Sequence, residues 1–189
     1  LAGGTMTGNL QVRGGTGTGF DGAGKLTLAT NEGTIVDGDV LGAISFNAPG
    51  EGSEGDAILP AGAIWCEADA TFTSSVNNGE LVFATASSGT ALTSGAEAMR
   101  ITSDGKVGIG NTTPGSMLEI SKVSGSASLE LSSWSATATA AHAGALKFQK
   151  SGTATVNTFT AGDHTTSGEI LGRVEAWGVN DSDSATLSS

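Results

Sequence analysis

Ile64-Trp65-Cys66-Glu67-Ala68-Asp69-Ala70-Thr71-Phe72-Thr73 is the stretch that decides the fold class. Ile64, Cys66, Ala68, Ala70 and Phe72 fall on one face, and Glu67, Asp69, Thr71 and Thr73 on the other together with Trp65. Successive Cβ atoms of a strand point to opposite faces, so a period of two belongs to a half-buried strand. Val40, Gly42, Ile44 and Phe46 repeat the pattern, as do Leu81 with Phe83 and Met99 with Ile101. Helical periodicity is nearly absent. Only the Ala-rich window Ser135–Leu146 approaches it, and Thr137, Thr139 and Gly144 turn that window towards strand or loop. The small residues on several strand faces predict close approach of a neighbouring chain or sheet.

Turn chemistry separates these runs. Ser103-Asp104-Gly105-Lys106 divides Met99–Thr102 from Val107–Ile109, and Asp-Gly suits a two-residue hairpin turn. Asn77-Asn78-Gly79 is a second hairpin candidate, and Asn111-Thr112-Thr113-Pro114-Gly115 reads as a strand terminator. Gly14–Gly24 and Ala48–Gly55 read as loops.

Composition says how such strands are stabilised. The chain holds 189 residues, 30 of them glycine, and Leu, Ile, Val and Phe together supply only about a fifth. So lean a chain borders on the disordered class, yet only 14% of its residues are charged. Burial of small apolar faces against further copies of the chain resolves the conflict. A net charge of −11 and eight scattered Lys and Arg argue against nucleic acid and against an anionic membrane surface. No apolar run approaches the roughly 20 residues that span a bilayer. Cys66 is the single cysteine, which excludes an intramolecular disulfide. The sequence opens at Leu1 with no signal-peptide pattern and closes at Ser189 in a strand-like run, so it reads as an excerpt of a longer chain.

A faint internal repeat organises the chain. Leu10-Gln11-Val12 is echoed by Leu118-Glu119-Ile120, Gly24–Leu28 by Gly144–Phe148, and Gly38–Ile44 by Gly168–Val174. Order is kept while the spacing grows from about 108 to 130 residues. Two related β-rich modules follow from this: 1–114, and a second, apparently truncated one at 115–189.

The motifs that promise chemistry are thin. Gly17-Thr18-Gly19-Phe20-Asp21-Gly22 fits a dinucleotide fingerprint, and Gly19 to Gly24-Lys25 has the spacing of a phosphate loop. Both need a helix N-terminus behind the glycines, whereas Leu26–Thr30 alternates like a strand. His142, His164 and Cys66 sit in no nucleophile or metal pattern, and Cys66 on its apolar face suits an inert thiol. Glu67 with Asp69, and Asp181 with Asp183, have the spacing of a same-face carboxylate pair such as a glycosidase uses, but polar strand faces produce such pairs constantly. Asn180-Asp181-Ser182-Asp183 lacks the Gly and terminal Glu of a calcium loop. No catalytic residue, metal ligand or cofactor is therefore expected. Trp65, Trp134 and Trp177 are the candidates for glycan contact, since an exposed indole stacks on a sugar ring, although a buried or interface Trp is commoner.

Two segments carry a family likeness. Leu1-Ala2-Gly3-Gly4-Thr5-Met6-Thr7-Gly8-Asn9-Leu10 resembles the "GGTMTG-L" segment recurring in bacteriophage tail fibres. Ala98-Met99-Arg100-Ile101-Thr102-Ser103-Asp104-Gly105-Lys106-Val107-Gly108-Ile109-Gly110 with Asn111-Thr112-Thr113-Pro114 resembles their "MRI-S-G-VGIGT-P" segment, departing from it at Asn111. Met117–Ile120 is similar to the "LEV" continuation, and 39–46 with 63–83 resembles fibre modules of marine phages. The resemblance implies an all-β, elongated homotrimeric shaft on a virion, outside the cell. Its partners would be its own copies, other virion tail proteins and a host surface glycan or protein receptor. It implies no enzyme. A glycan-binding module, a tailspike-like depolymerase and a bacterial surface adhesin are the alternatives.

Overall fold

The computed structural model describes residues 8–47, 59–134, 145–146, 174, 177–179 and 185–187. The chain divides into two units, Leu1–Leu129 and Glu130–Ser189. The described part is all-β. The first unit holds one six-stranded sheet, in sequence order across its width: β1 (Val40–Asn47), β2 (Pro60–Ala68), β3 (Gly79–Thr85), β4 (Glu97–Ile101), β5 (Val107–Ile109) and β6 (Leu118–Ile120). Every neighbouring pair is antiparallel except β5 and β6. In the second unit β7 (Trp177–Val179) pairs antiparallel with β8 (Ala185–Leu187). The sheet continues past Pro114, since β6 lies beyond it. Most of the second halves of the three internal echoes, the window 135–144, the loop 48–55 and residues 1–7 lie outside the described residues.

Register places the four alternating runs on one side. Ile44 lies opposite Ile64 and Ile64 opposite Phe83, which in turn faces Met99. Cys66, Leu81, Ile101 and Val107 form the adjoining row, and Leu118 and Ile120 extend the same face at β6. The other side carries Ala63, Trp65, Val82 and Ala84. This is the side the chain buries: the connection between β3 and β4 folds back over it, with Ala91 N donating to the Pro60 carbonyl at 2.7 Å. Ala91 closes a cluster with those four residues, and Val82 is 0% exposed. The alternation around Ile64 is thus confirmed, but the core cluster forms on Trp65's face, while on Ile64's face of β2 only Ala68, at the strand's end, is fully buried.

Two turns differ from their sequence reading. The β2–β3 connection spans residues 69–78, with Asp69 N donating to the Asn78 carbonyl at 3.0 Å. Its tight turn lies at Thr73–Val76, where Thr73 Oγ1 accepts from Val76 N at 3.1 Å. Asn77-Asn78-Gly79 only leads into β3. The alternation that ran to Thr73 stops at Ala68, because Phe72 N bonds to the Ile35 carbonyl at 3.0 Å and not to the ladder. Between β4 and β5 the hairpin is present, with a three-residue loop where two were expected. Thr102 N donates to the Lys106 carbonyl, Gly105 N to that of Thr102, and Gly105 takes φ +83°. A turn closed by a left-handed glycine needs that additional residue.

The parallel step from β5 to β6 is short for a crossover, which normally takes a dozen residues or more. Glu119 holds it in place. Its carboxylate accepts from Gly115 N at 2.8 Å, Asn111 Nδ2 at 2.7 Å and Ser121 Oγ at 2.8 Å. The loop lies so close to β5 that a Cβ on Gly108 would stand 2.1 Å from the Asn111 carbonyl oxygen. Gly108 therefore has to be glycine.

The bonds from Gly115, then Ser121 and Asn111, hold the Glu119 carboxyl below its ordinary value of 4.5. A lowered folded value contributes stability that is present above the unfolded value and lost as pH falls through the folded one. Glu119→Gln is expected to lower the urea midpoint at pH 7. Below pH 4.5 its profile should be flatter than that of the parent, because the titrating group is gone. Equal slopes on the acid limb would remove Glu119 from this role.

Candidate functional site

Two features of the sheet stand out, one on each face. On the covered face Arg100 gathers three carboxylates. Glu97, one residue past the irregularity between β3 and β4, takes Arg100 Nε at 2.9 Å and Nη2 at 2.7 Å in a fork. Nη1 lies 2.9 Å from Glu67 Oε1 and also bonds Glu80. Glu67 and Glu80 are directly opposed across β2 and β3, a repulsive pairing that needs a cation between them. Glu67 also accepts from Trp65 Nε1 at 2.8 Å. The four charged side chains are only 4 to 17% exposed.

One guanidinium cannot neutralise three carboxylates. Burial raises the Glu80 carboxyl above its ordinary value; Arg100 opposes this, while Asp69 and Glu67 add to it. Arg100 is pushed up as well, by its bonds to Glu97 first, still further above the range in which it loses its proton. Its charge is therefore permanent. Sequence reading missed this cluster. Glu67, Glu80, Glu97 and Arg100 are isolated charges along the chain, and only the strand register brings them together.

On the opposite face the described chain leaves much of the apolar surface open, and Phe46 and Leu118 are both 57% exposed. Leu28 reaches one end of it: a Cβ on Gly42 would fall 2.6 Å from Leu28 Cβ. Between residues 26–28 and the sheet lies an open cleft of about 340 Å³, bounded by Leu26, Leu28, Ile44, Ile64, Cys66 and Leu81. Its walls are almost wholly apolar. The Cys66 thiol in this wall is free, and burial, then the Glu67 charge, push it above its ordinary value. It is therefore held as the protonated thiol at neutral pH.

The three tryptophans are placed very differently. Trp65 is 6% exposed, with its indole N–H committed to Glu67, so its ring faces pack against protein. Trp134 is 93% exposed. Trp177 opens β7, and its side chain lies outside the described residues. Of the carboxylate pairs, Glu67 is engaged as above and Asp69 accepts a hydrogen bond from Ser103 Oγ. Asp181, Asp183, His142 and His164 lie outside the described residues. The glycine-rich segment forms a single 3₁₀ turn at Gly19–Asp21, and no helix follows its glycines. Phosphate binding at that point lacks the helix N-terminus it requires. No helix among the described residues is long and apolar enough to cross a membrane.

Compared with protein families and with curated proteins, the sequence matches no family model and no curated protein.

Proposed function

We propose that this chain is a structural, non-enzymatic segment of a bacteriophage tail fibre, assembled as a homotrimer. It spaces and orients receptor-binding parts of the virion towards the host surface. The observation that carries the reading is the apolar face of the six-stranded sheet, which the described residues leave largely uncovered. A sheet is stable in water when its apolar face meets a second layer, and a single layer leaves that requirement unmet. Among the described residues of one copy the buried apolar ones are four alanines, one tryptophan and one valine. The larger side chains Ile44, Phe46, Leu81 and Ile109 stand more than a third exposed. Covering a half-exposed side chain of this size contributes about 1 kcal/mol, so one face offers several kcal/mol per copy. The face bears no charge that would oppose self-contact, and the charged groups of the sheet lie on its other side.

The segments that resemble tail fibres agree with this role. Three copies place three apolar faces around one axis and leave the acidic surfaces outward, where a net charge of −11 per chain keeps the assembly soluble. Other tail proteins would continue the shaft at either end. Contact with a host glycan or protein would then gain from repetition along the fibre.

Static light scattering on the 189-residue chain, with circular dichroism alongside, tests the proposal. A β-rich species of about three times 18.5 kDa is the expected result. A compact, stable monomer at every concentration would sink the shaft reading.

A further inference from the structure

The open face alone is small for a stable interface. Six strands at about 4.8 Å spacing, with about five residues of usable length, span roughly 300–400 Å² of plane. Stable protein interfaces bury about 800 Å² on each partner. Further apolar surface has to take part, and the chain presents it at one place. Residues 10–28 double back on themselves as a narrow looped arm whose two limbs touch through glycines. A Cβ on Gly14 would lie 2.0 Å from the Gly22 carbonyl oxygen, and one on Gly24 would lie 2.5 Å from that of Val12. At its tip Gly19 takes φ +62°, and Gly22 N closes the turn on the Gly19 carbonyl at 3.3 Å. Phe20 stands on that tip, 86% exposed.

The base of the same arm forms one wall of the apolar cleft, through Leu26 and Leu28. Each copy thus carries an aromatic knob and an unfilled apolar hole. Phe20 does not fill the hole of its own chain, since its ring is exposed. Resting on the self-association proposed above, we infer that Phe20 of one copy seats in the cleft between the arm and the sheet face of a second copy. The contact is heterologous, knob to hole. Such contacts close into a ring when the rotation between copies is 120°, and run on as a filament when it does not close. The cleft suits the phenyl ring because its lining is mostly apolar, chiefly aliphatic side chains and the Cys66 thiol.

A dilution series of the whole chain, followed by light scattering, supplies the first test. Phe20→Ala is expected to raise the midpoint concentration of association at least tenfold, with the β-sheet signal of the dissociated chain unchanged. The second test uses Cys66, the single native cysteine, in the wall of the hole. Phe20→Cys, treated with copper-phenanthroline, is expected to give covalent dimers and trimers on a non-reducing gel. The parent and the double variant F20C/C66S should give none. If the parent associates and Phe20→Ala shifts its midpoint less than twofold, the knob-to-hole contact is overturned while self-association stands. Cross-linking that persists in F20C/C66S also overturns it, because tips would then meet tips. A parent that stays monomeric at all concentrations overturns both readings together.

Discussion

Ile64→Asp is expected to leave the chain monomeric at concentrations where the parent associates, while its circular dichroism keeps the signature of the sheet. Ile64 sits at the middle of the open face, with Ile44 on one side and Phe83 on the other. In a single copy the position is half-buried and next to solvent, so a carboxylate there can stay hydrated. The cost to the isolated sheet is then mainly that of strand propensity, on the order of 1 kcal/mol or less. In an assembly whose copies meet through this face, the same carboxylate loses its water, and Arg100 projects from the other side of the sheet. Burying an unpaired charge costs at least ~4 kcal/mol, which is about a thousandfold in a dissociation constant. Light scattering reads the mass and circular dichroism the fold. A variant that associates as tightly as the parent would show that this face is not where copies meet. Ala63→Asp supplies the mirror control. Ala63 is 3% exposed on the covered face, so a carboxylate there should unfold the chain at any concentration.

The contrast between these neighbours shows what could be read from the sequence. The strands at 40–46, 64–68, 81–83 and 99–101 were legible because period-two alternation is a local signal. So was the hairpin around Gly105, because a left-handed turn residue announces itself. Which face a single copy covers was not legible. Ile64, Cys66 and Ala68 are the more apolar set, yet the face closed is that of Trp65, because the loop between β3 and β4 happens to return over it and deliver Ala91. That return is a tertiary event with no periodic trace. The same return buries the ring of Trp65, whose N–H meets Glu67 two residues along the same strand face. The Arg100 cluster was hidden for a related reason. Its members are spread over three strands, and no spacing along the chain connects Glu67, Glu80 and Glu97.

Arg100→Met is expected to be strongly destabilising, although it introduces no new charge on the covered face. Methionine keeps the stem and the packing but removes the cation, so Glu67, Glu80 and Glu97 are left facing one another with little water. Removing one partner of a buried ion pair typically costs about 3–5 kcal/mol, because the remaining charge is uncompensated. Here three carboxylates share that loss. A chain whose core is this small has little reserve, so the urea midpoint at pH 7 should fall by more than half, or the sheet should fail to form. Acid provides the control that separates lost charge from lost packing. Glu80 already has a raised carboxyl value in the parent, from burial first. A raised folded value means that the folded state holds the proton more tightly than the unfolded one. The resulting stability is fully present below the unfolded value of 4.5 and is lost as pH rises through the folded one. Without Arg100 the main influence lowering that value disappears, and it moves further up. The variant should therefore regain stability between pH 7 and about 5 more steeply than the parent does. The crossover bonded through Glu119 begins to weaken only below 4.5, so the two effects do not overlap. A midpoint as flat with pH as the parent's would mean that the loss came from packing alone. In that case the three carboxylates would be finding water that the geometry of the covered face does not provide.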